Sequence, residues 1–168
     1  MKPAPDYVPA HGLLRGKSVL VTAAAGAGIG FAVARRAAEE GCRALFISDV
    51  HERRLSEAVE AIQRETGLQA VHGLLCDVSQ EAQVQALINA AEQQLGGIDV
   101  LINNAGLGTS KRIVDMGDDE WHKVIDVTLT GTFRVTRAAL KVMQPRGHGV
   151  IVNNASVLGW RAQTEQAH

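Results

Sequence analysis

The residues of this chain that could do chemistry begin with three glycines, Gly26, Gly28 and Gly30, in the stretch TAAAGAGIG. Without side chains they let the backbone turn tightly and let its amides approach an anion at a helix start, where the dipole also favours negative charge. A pyrophosphate suits that position. The stretch departs from a clean Gly-X-Gly-X-X-Gly, so the reading leans on its place between an apolar run and a helical pattern. Asp49 stands about 20 residues further on, at the end of a second apolar run, where a carboxylate can accept hydrogen bonds from both hydroxyls of an adenosine ribose. This favours NAD(H) over NADP(H), because a 2′-phosphate would meet like charge. Arg53 and Arg54 could neutralise such a phosphate, although their helical setting predicts that they face solvent. Asp77, in CDV after a third run, falls near the adenine; its alternative role is to cap the next helix together with Ser79. On these residues alone an S-adenosylmethionine-dependent methyltransferase stays open, since such sites also use a glycine turn and acidic residues after strands.

The elements that must position these groups alternate short β-branched runs with longer helical patterns, which predicts βαβ units and a parallel sheet. SVLVTAA is a strand, followed by the helix IGFAVARRAAEEG with Ile29, Val33 and Ala37 on one face and Gly41 as its stop. ALFISD is the second strand. A helix over roughly 51 to 66 sets Leu55, Val59 and Ile62 at helical spacing and ends before Gly67. AVHGLLCD is the third strand, and Val84, Leu87, Ile88, Ala91 and Leu95 form the apolar stripe of a helix stopped by Gly96 and Gly97. IDVLINNAG is the fourth strand, a helix covers roughly 118 to 143, and GVIVNNAS is the fifth strand. Right-handed crossovers turn this series into an α/β, doubly wound, Rossmann-like sheet of order 3-2-1-4-5. Prolines crowd the first nine residues, so residues 1–14 read as an extended arm and 15–168 as the dinucleotide-binding domain.

Bulk properties exclude other classes. With 46% hydrophobic and 21% charged residues among 168, the chain suits one globular core. A net charge of −1 offers no basic field for nucleic acid or an anionic membrane. No apolar run is long enough for a membrane span, and MKPAPDYVPAHG lacks the apolar core of a signal peptide, so a cytoplasmic location is expected. Cys42 and Cys76 have no neighbouring Cys or His at metal-ligand spacing, which predicts buried reduced thiols and no metal site.

NNAG at 103–106 follows the fourth strand and NNAS at 153–156 follows the fifth. Together with the glycine turn, Asp49 and CDV at 76–78, these motifs make the chain resemble the short-chain dehydrogenase/reductase family over residues 17–168. The resemblance implies an NAD(P)-dependent oxidoreductase that moves hydride between nicotinamide and a carbonyl or secondary alcohol of a small molecule. It implies that the turn residues Gly26, Gly28, Ile29 and Gly30 hold the pyrophosphate. Asp49 would be the ribose ligand, Asp77 and Val78 the adenine contacts, and Asn103, Ala105 and Gly106 part of the wall beside the nicotinamide ribose. Ser156 matches the catalytic serine, which hydrogen-bonds the substrate oxygen and stabilises charge developing there. It is no nucleophile: NASVLG supplies neither the Gly-X-Ser-X-Gly setting nor a partner base. HGLL, VTAAAGAGIG, SDVHERRL, NNAGLG and NNASVLGWRAQ look most like an actinobacterial branch of 3-oxoacyl thioester reductases. One member acts on a coenzyme A-linked ring fragment of steroid catabolism, which implies an oxoacyl-CoA or steroid-derived substrate.

Three departures from the family pattern matter. Ala23 stands where the family has glycine after the turn's threonine, and the turn is one residue longer. Thr128, in DVTLTG, occupies the place of the catalytic asparagine, whose part is to hold a proton-relaying water; a hydroxyl can hold water with fewer hydrogen-bonding groups. Finally, the family's Tyr-X-X-X-Lys motif would begin directly after His168, so the general acid/base tyrosine and its lysine fall outside the sequence. Tyr7, the only tyrosine, lies in the arm. The resemblance therefore predicts a truncated, inactive chain, with a non-catalytic nucleotide-binding fragment as the alternative. It also predicts an open edge and an uncovered apolar face at GVIVNNAS, poor solubility, and a full-length form that is homo-oligomeric.

Overall fold

The computed structural model describes residues 6–168; of the arm predicted at 1–14, residues 1–5 lie outside it. Five strands, β1 (Ser18–Val21), β2 (Ala44–Asp49), β3 (Val71–Leu75), β4 (Val100–Asn103) and β5 (Val150–Asn153), form one sheet of order β3-β2-β1-β4-β5. All four pairings are parallel, as the alternation of short strands and helices predicts. The sheet is covered on both faces, which is why β1 and β2 are buried along their whole length. Because side chains alternate along a strand, Leu20, Phe46 and Leu101 point to one face and Val19, Val21, Leu45 and Ile47 to the other.

Helices α1 (Ile29–Glu39) and α2 (Glu52–Thr66) cover the second face, with Ala34, Ala37, Leu55 and Ile62 in the core. Helix α3 (Glu81–Leu95) covers the first, and its predicted stripe of Val84, Leu87, Ile88, Ala91 and Leu95 is buried throughout. Burial of each large side chain of this kind is worth about 1.5–3 kcal/mol. Gly67 and Gly96 end α2 and α3 in the left-handed conformation, at φ +76° and +64°.

Two helix expectations need correction. Ile29 does not share the buried face of α1: it is 65% exposed, and the packed face is Gly30, Ala34, Ala37 and Ala38. Small residues there let the helix lie close to the turn that precedes it. The helix expected at 118–143 is three pieces, α4 (Asp118–Ile125), a π-helical turn (Asp126–Thr130) and α5 (Gly131–Arg146). At the junction α5 presses against Val78, where a β-carbon on Gly131 would lie 2.6 Å from Val78 Cγ2. Single π turns inside α-helices commonly mark functional positions, and Thr128 sits in this one.

Residues 6–13 form neither helix nor strand and run along α1. Tyr7 donates to Glu39, the Arg36 guanidinium lies 5.2 Å above the Tyr7 ring, and buried Glu40 accepts the amides of His11, Gly12 and Leu13 at 2.8–3.0 Å. The Leu13 amide above all, with the His11 amide and the Arg36 guanidinium, outweighs burial and holds the Glu40 carboxyl at about 2. At the opposite edge β5 pairs with β4 alone among the described strands, and Val150 and Val152 are 56% and 46% exposed, the open edge that the sequence predicts.

Candidate functional site

The C-terminal ends of the parallel strands converge on one side of the sheet, the crevice where doubly wound folds bind ligands. After β1 the chain enters the glycine turn. Gly26 takes φ +83°, and β-carbons on Gly26 or Gly28 would point into open space. Gly28 is the N-cap of α1, no side chain caps that helix, and its first turn has no acidic residue. Uncapped amides at a positive dipole end beside open space suit a phosphate. Gly30 has a different task. A β-carbon there would lie 2.2 Å from the Ala23 carbonyl oxygen and 2.5 Å from Asn104 Nδ2, so only glycine lets α1 start against the turn. Ala23 itself adopts φ +50°, the left-handed region, at a non-glycine residue. The alanine that departs from the family pattern is thus a strained residue holding a conformation natural to glycine.

Beside the turn lies a cleft of about 500 Å³ lined by Asp49, Asp77, Val78, Ala105 and Gly106 together with Arg54, Lys123 and Val127. Asp49 ends β2 and is 8% exposed. Its Oδ2 accepts the Ala25 amide at 3.0 Å, and Oδ1 accepts those of Val50 and His51 at 2.9 and 3.2 Å. The carboxylate thereby ties the glycine turn to β2, and Oδ2 keeps one acceptor position. Asp77 Oδ1 accepts the Ser79 amide at 2.9 Å, so it forms the turn before α3 while also facing the cleft. The Cys76 thiol beside it is pushed up to about 12 by burial and by Asp77, and Cys42 up to about 11 by burial, so both are unreactive thiols at neutral pH. Arg53 is exposed and pairs with Glu57, as expected, but Arg54 lines the cleft rather than solvent alone.

Asn103 is buried at the end of β4, its Nδ2 donating to Thr136 Oγ1 and Asn153 Oδ1, both at 2.9 Å. Thr128 faces the same loop. Its hydroxyl donates to the Leu107 carbonyl at 3.1 Å and accepts the Leu107 amide at 3.0 Å, which leaves one lone pair and no proton for a water. Ser156 follows β5 and is exposed; its Oγ accepts the Leu158 amide at 3.2 Å. The hydroxyl proton of Ser156 stays free to be donated. Trp160, further along the same loop, is 88% exposed.

Three contributors escape a reading of motifs alone. Thr22, buried after β1, accepts the Asn104 and Ala105 amides at 3.0 and 3.1 Å and so anchors the NNAG loop. Leu107 is the partner of Thr128, and Lys123 of α4 reaches the cleft. Thr22 alone carried a signal, a threonine placed directly at the strand end. Among the described residues no cluster of His, Cys, Asp or Glu could hold a metal ion, and no helix is long and apolar enough to cross a membrane.

A doubly wound sheet with a glycine turn, an acidic end to β2 and a serine after β5 defines a class of dinucleotide-dependent oxidoreductase. Residues 17–168 match the short chain dehydrogenase family, and the chain belongs to that family. It is 55% identical over 166 residues to (5R,7aS)-5-hydroxy-7a-methyl-1-oxo-2,3,5,6,7,7a-hexahydro-1H-indene-carboxyl-CoA reductase of Mycobacterium tuberculosis, covering 98% of this chain and 63% of that protein. A short chain dehydrogenase from Mycobacterium smegmatis superposes with a TM-score of 0.93 at 53% identity, over 98% of this chain and 67% of that one. An actinorhodin polyketide ketoreductase with NADPH superposes at 0.84 and 37% identity, over 90% and 57%. The methyltransferase reading finds no support.

Proposed function

We propose that the protein carries the coenzyme-holding and carbonyl-holding elements of an NAD(P)-dependent oxidoreductase. Its reaction interconverts a ketone and a secondary alcohol on a ring-bearing, coenzyme A-linked substrate. In this reading residues 15–168 are the dinucleotide-binding domain and 1–14 its arm. The observation that carries the reading is convergence: the uncapped start of α1, Asp49, Asp77 and Ser156 all stand at the same end of one parallel sheet. The likeness to the Mycobacterium tuberculosis reductase supports the substrate class.

When bound, the nicotinamide coenzyme supplies or accepts the hydride. The amides of residues 26–30 hold its pyrophosphate, Asp49 its adenosine ribose, and Asp77 and Val78 border the adenine. Asn103, Ala105 and Gly106 shape the wall on the side of β4. Ser156 donates a hydrogen bond from its free hydroxyl to the substrate oxygen and stabilises the charge that develops there, where a well-placed donor is worth most. Thr128 acts by holding the Leu107 segment in place and offers one lone pair to a water.

NAD(H) is the preferred coenzyme in this reading, because the Asp49 carboxylate opposes a 2′-phosphate, while Arg54 on the same cleft works in the other direction. Calorimetric titration of the 168-residue chain with NAD⁺ and NADP⁺ tests both levels. Binding of either at one site per chain is expected, with NAD⁺ tighter. Absence of binding to both sinks the functional reading, and tighter NADP⁺ sinks the preference alone. In turnover of a ketone substrate, Ser156→Ala should lower kcat at least tenfold, and it should leave dinucleotide affinity unchanged.

A further inference from the structure

The ends of β4 and β5 carry the same three residues, Asn-Asn-Ala, in matched register, with Asn103 paired to Asn153. Side chains alternate across a sheet, so the two asparagine pairs bridge the strands on opposite faces. On the α5 side, Asn103 Nδ2 donates to Asn153 Oδ1 and to Thr136. On the other, the polarity is reversed: Asn154 Nδ2 donates to Asn104 Oδ1 at 2.9 Å. Asn104 passes the contact on. Its Nδ2 donates to the carbonyls of Thr22 and Ala23 at 3.2 and 3.0 Å, and its backbone amide donates to Thr22 Oγ1. The Ala23 carbonyl belongs to the residue strained at φ +50°, and Asn104 Nδ2 occupies the space that a side chain on Gly30 would need.

We propose that Asn154 is a positioning residue that sets the Ser156 loop against the glycine turn, through Asn104 and Ala23. The assignment rests on the coenzyme and serine roles proposed above. Asn154 lies two residues before Ser156, and its backbone amide also donates to the Asn103 carbonyl at 2.8 Å, so the serine loop is fastened by both main chain and side chain. With its Oδ1 taken by Asn154 and its Nδ2 by Thr22 and Ala23, Asn104 has a single orientation. Removing the Asn154 donor leaves Asn104 held by the Thr22 and Ala23 carbonyls alone, so the Ser156 loop loses its side-chain tie to the left-handed turn at Ala23 and the turn is less firmly set for the phosphate-binding amides. One neutral hydrogen bond is worth about 0.5–1.5 kcal/mol, which converts to about two- to tenfold in affinity.

The test titrates NAD⁺ and NADP⁺ into the 168-residue chain and its variants. Asn154→Ala should weaken dinucleotide binding about threefold or more at every pH. Asn154→Asp places an acceptor against the Asn104 oxygen, so it should bind as weakly at pH 8 and recover toward the parent, titrated alongside it, as the pH falls to about 4, near the ordinary aspartate value, where a protonated carboxyl can donate. A purely structural role gives no such pH-dependent recovery. In turnover of a ketone substrate, Asn154→Ala should lower kcat with little change in the KM for the ketone. If the parent chain binds dinucleotide and Asn154→Ala binds equally well, or if Asn154→Asp shows no recovery, the positioning role is wrong. If the parent binds no dinucleotide, the functional reading fails first. Should Asn154→Ala fail to fold, the pH response of Asn154→Asp decides the question.

Discussion

The two halves of the sheet differ in how deeply they are buried. Strands β1 and β2 are buried from end to end, with layers of helix on both faces, and the cleft beside the glycine turn is walled by residues that also hold the fold together. Asp49 is both the end of β2 and the anchor of the glycine turn. Strand β5 is different: three of its four residues are exposed, and the hydrogen bonds of Ser156 beyond it stay within its own turn. In the proposed function coenzyme recognition is thus built into the core, whereas Ser156, the group proposed to hold the carbonyl, rides on an edge. The chain spans 63% of the length of its Mycobacterium tuberculosis relative.

The largest effect that could break this contrast is a cavity on each side of it. Ile47, fully buried on β2, should cost about 2–5 kcal/mol when changed to alanine. Val152→Ala on β5 should stay within about 0.5 kcal/mol, as an exposed position does. Urea denaturation of both variants measures the difference; equal losses would mean that β5 is as much core as β2.

Acid sharpens the comparison next, because each half holds one strongly depressed carboxyl. Glu40, bonded to the amide of Leu13 and its neighbours, sits at about 2 against an ordinary 4.5. At the base of β4, burial alone would raise Asp99, but the Ser18 amide, Arg146, the Ser18 hydroxyl and His148 outweigh it and hold it at about 2 against 3.8. A carboxyl depressed in the folded state adds stability above its unfolded value, and that stability is lost as pH falls toward the folded value. The Glu40 contribution should therefore fade between about pH 4.5 and 2, and the Asp99 contribution between about 3.8 and 2. Denaturation midpoints across that range should fall less steeply for Glu40→Gln and Asp99→Asn than for the parent. Parallel slopes would remove both carboxyls from the account of acid stability.

The smallest effect concerns the strained turn. Ala23→Gly removes a left-handed alanine but adds backbone freedom to the unfolded chain, so the net gain should be about 0.5 kcal/mol. A loss of stability on thermal melting would show that the Ala23 methyl contributes packing that outweighs the strain.

Periodicity and punctuation are local properties, and they were enough for the sheet order, the Val84 to Leu95 stripe and the stops at Gly67 and Gly96. The candidate groups along the strand ends could likewise be named from the order of their motifs. Side-chain direction was harder. Ile29 has helical spacing with Val33 and Ala37, yet it faces outward because α1 approaches the turn through Gly30. The π turn at 126–130 shows in the sequence only as a run of weak helix formers, Val127, Thr128, Thr130 and Gly131, which lowers propensity without specifying its geometry; it accompanies the contacts of Thr128 with Leu107 and of Gly131 with Val78.

By itself, then, the sequence determined the parallel architecture and the chemical inventory: glycines at a helix start, an acid after the second strand, a serine after the fifth. Tertiary structure decided what those groups face. It brought Thr22 to Asn104, Asn104 to Asn154 and Arg54 to the cleft of Asp49. The reason is physical. Local patterns depend on neighbours within a turn of helix or a pleat of strand, whereas these contacts join residues on different elements and exist only once the strands have taken their order.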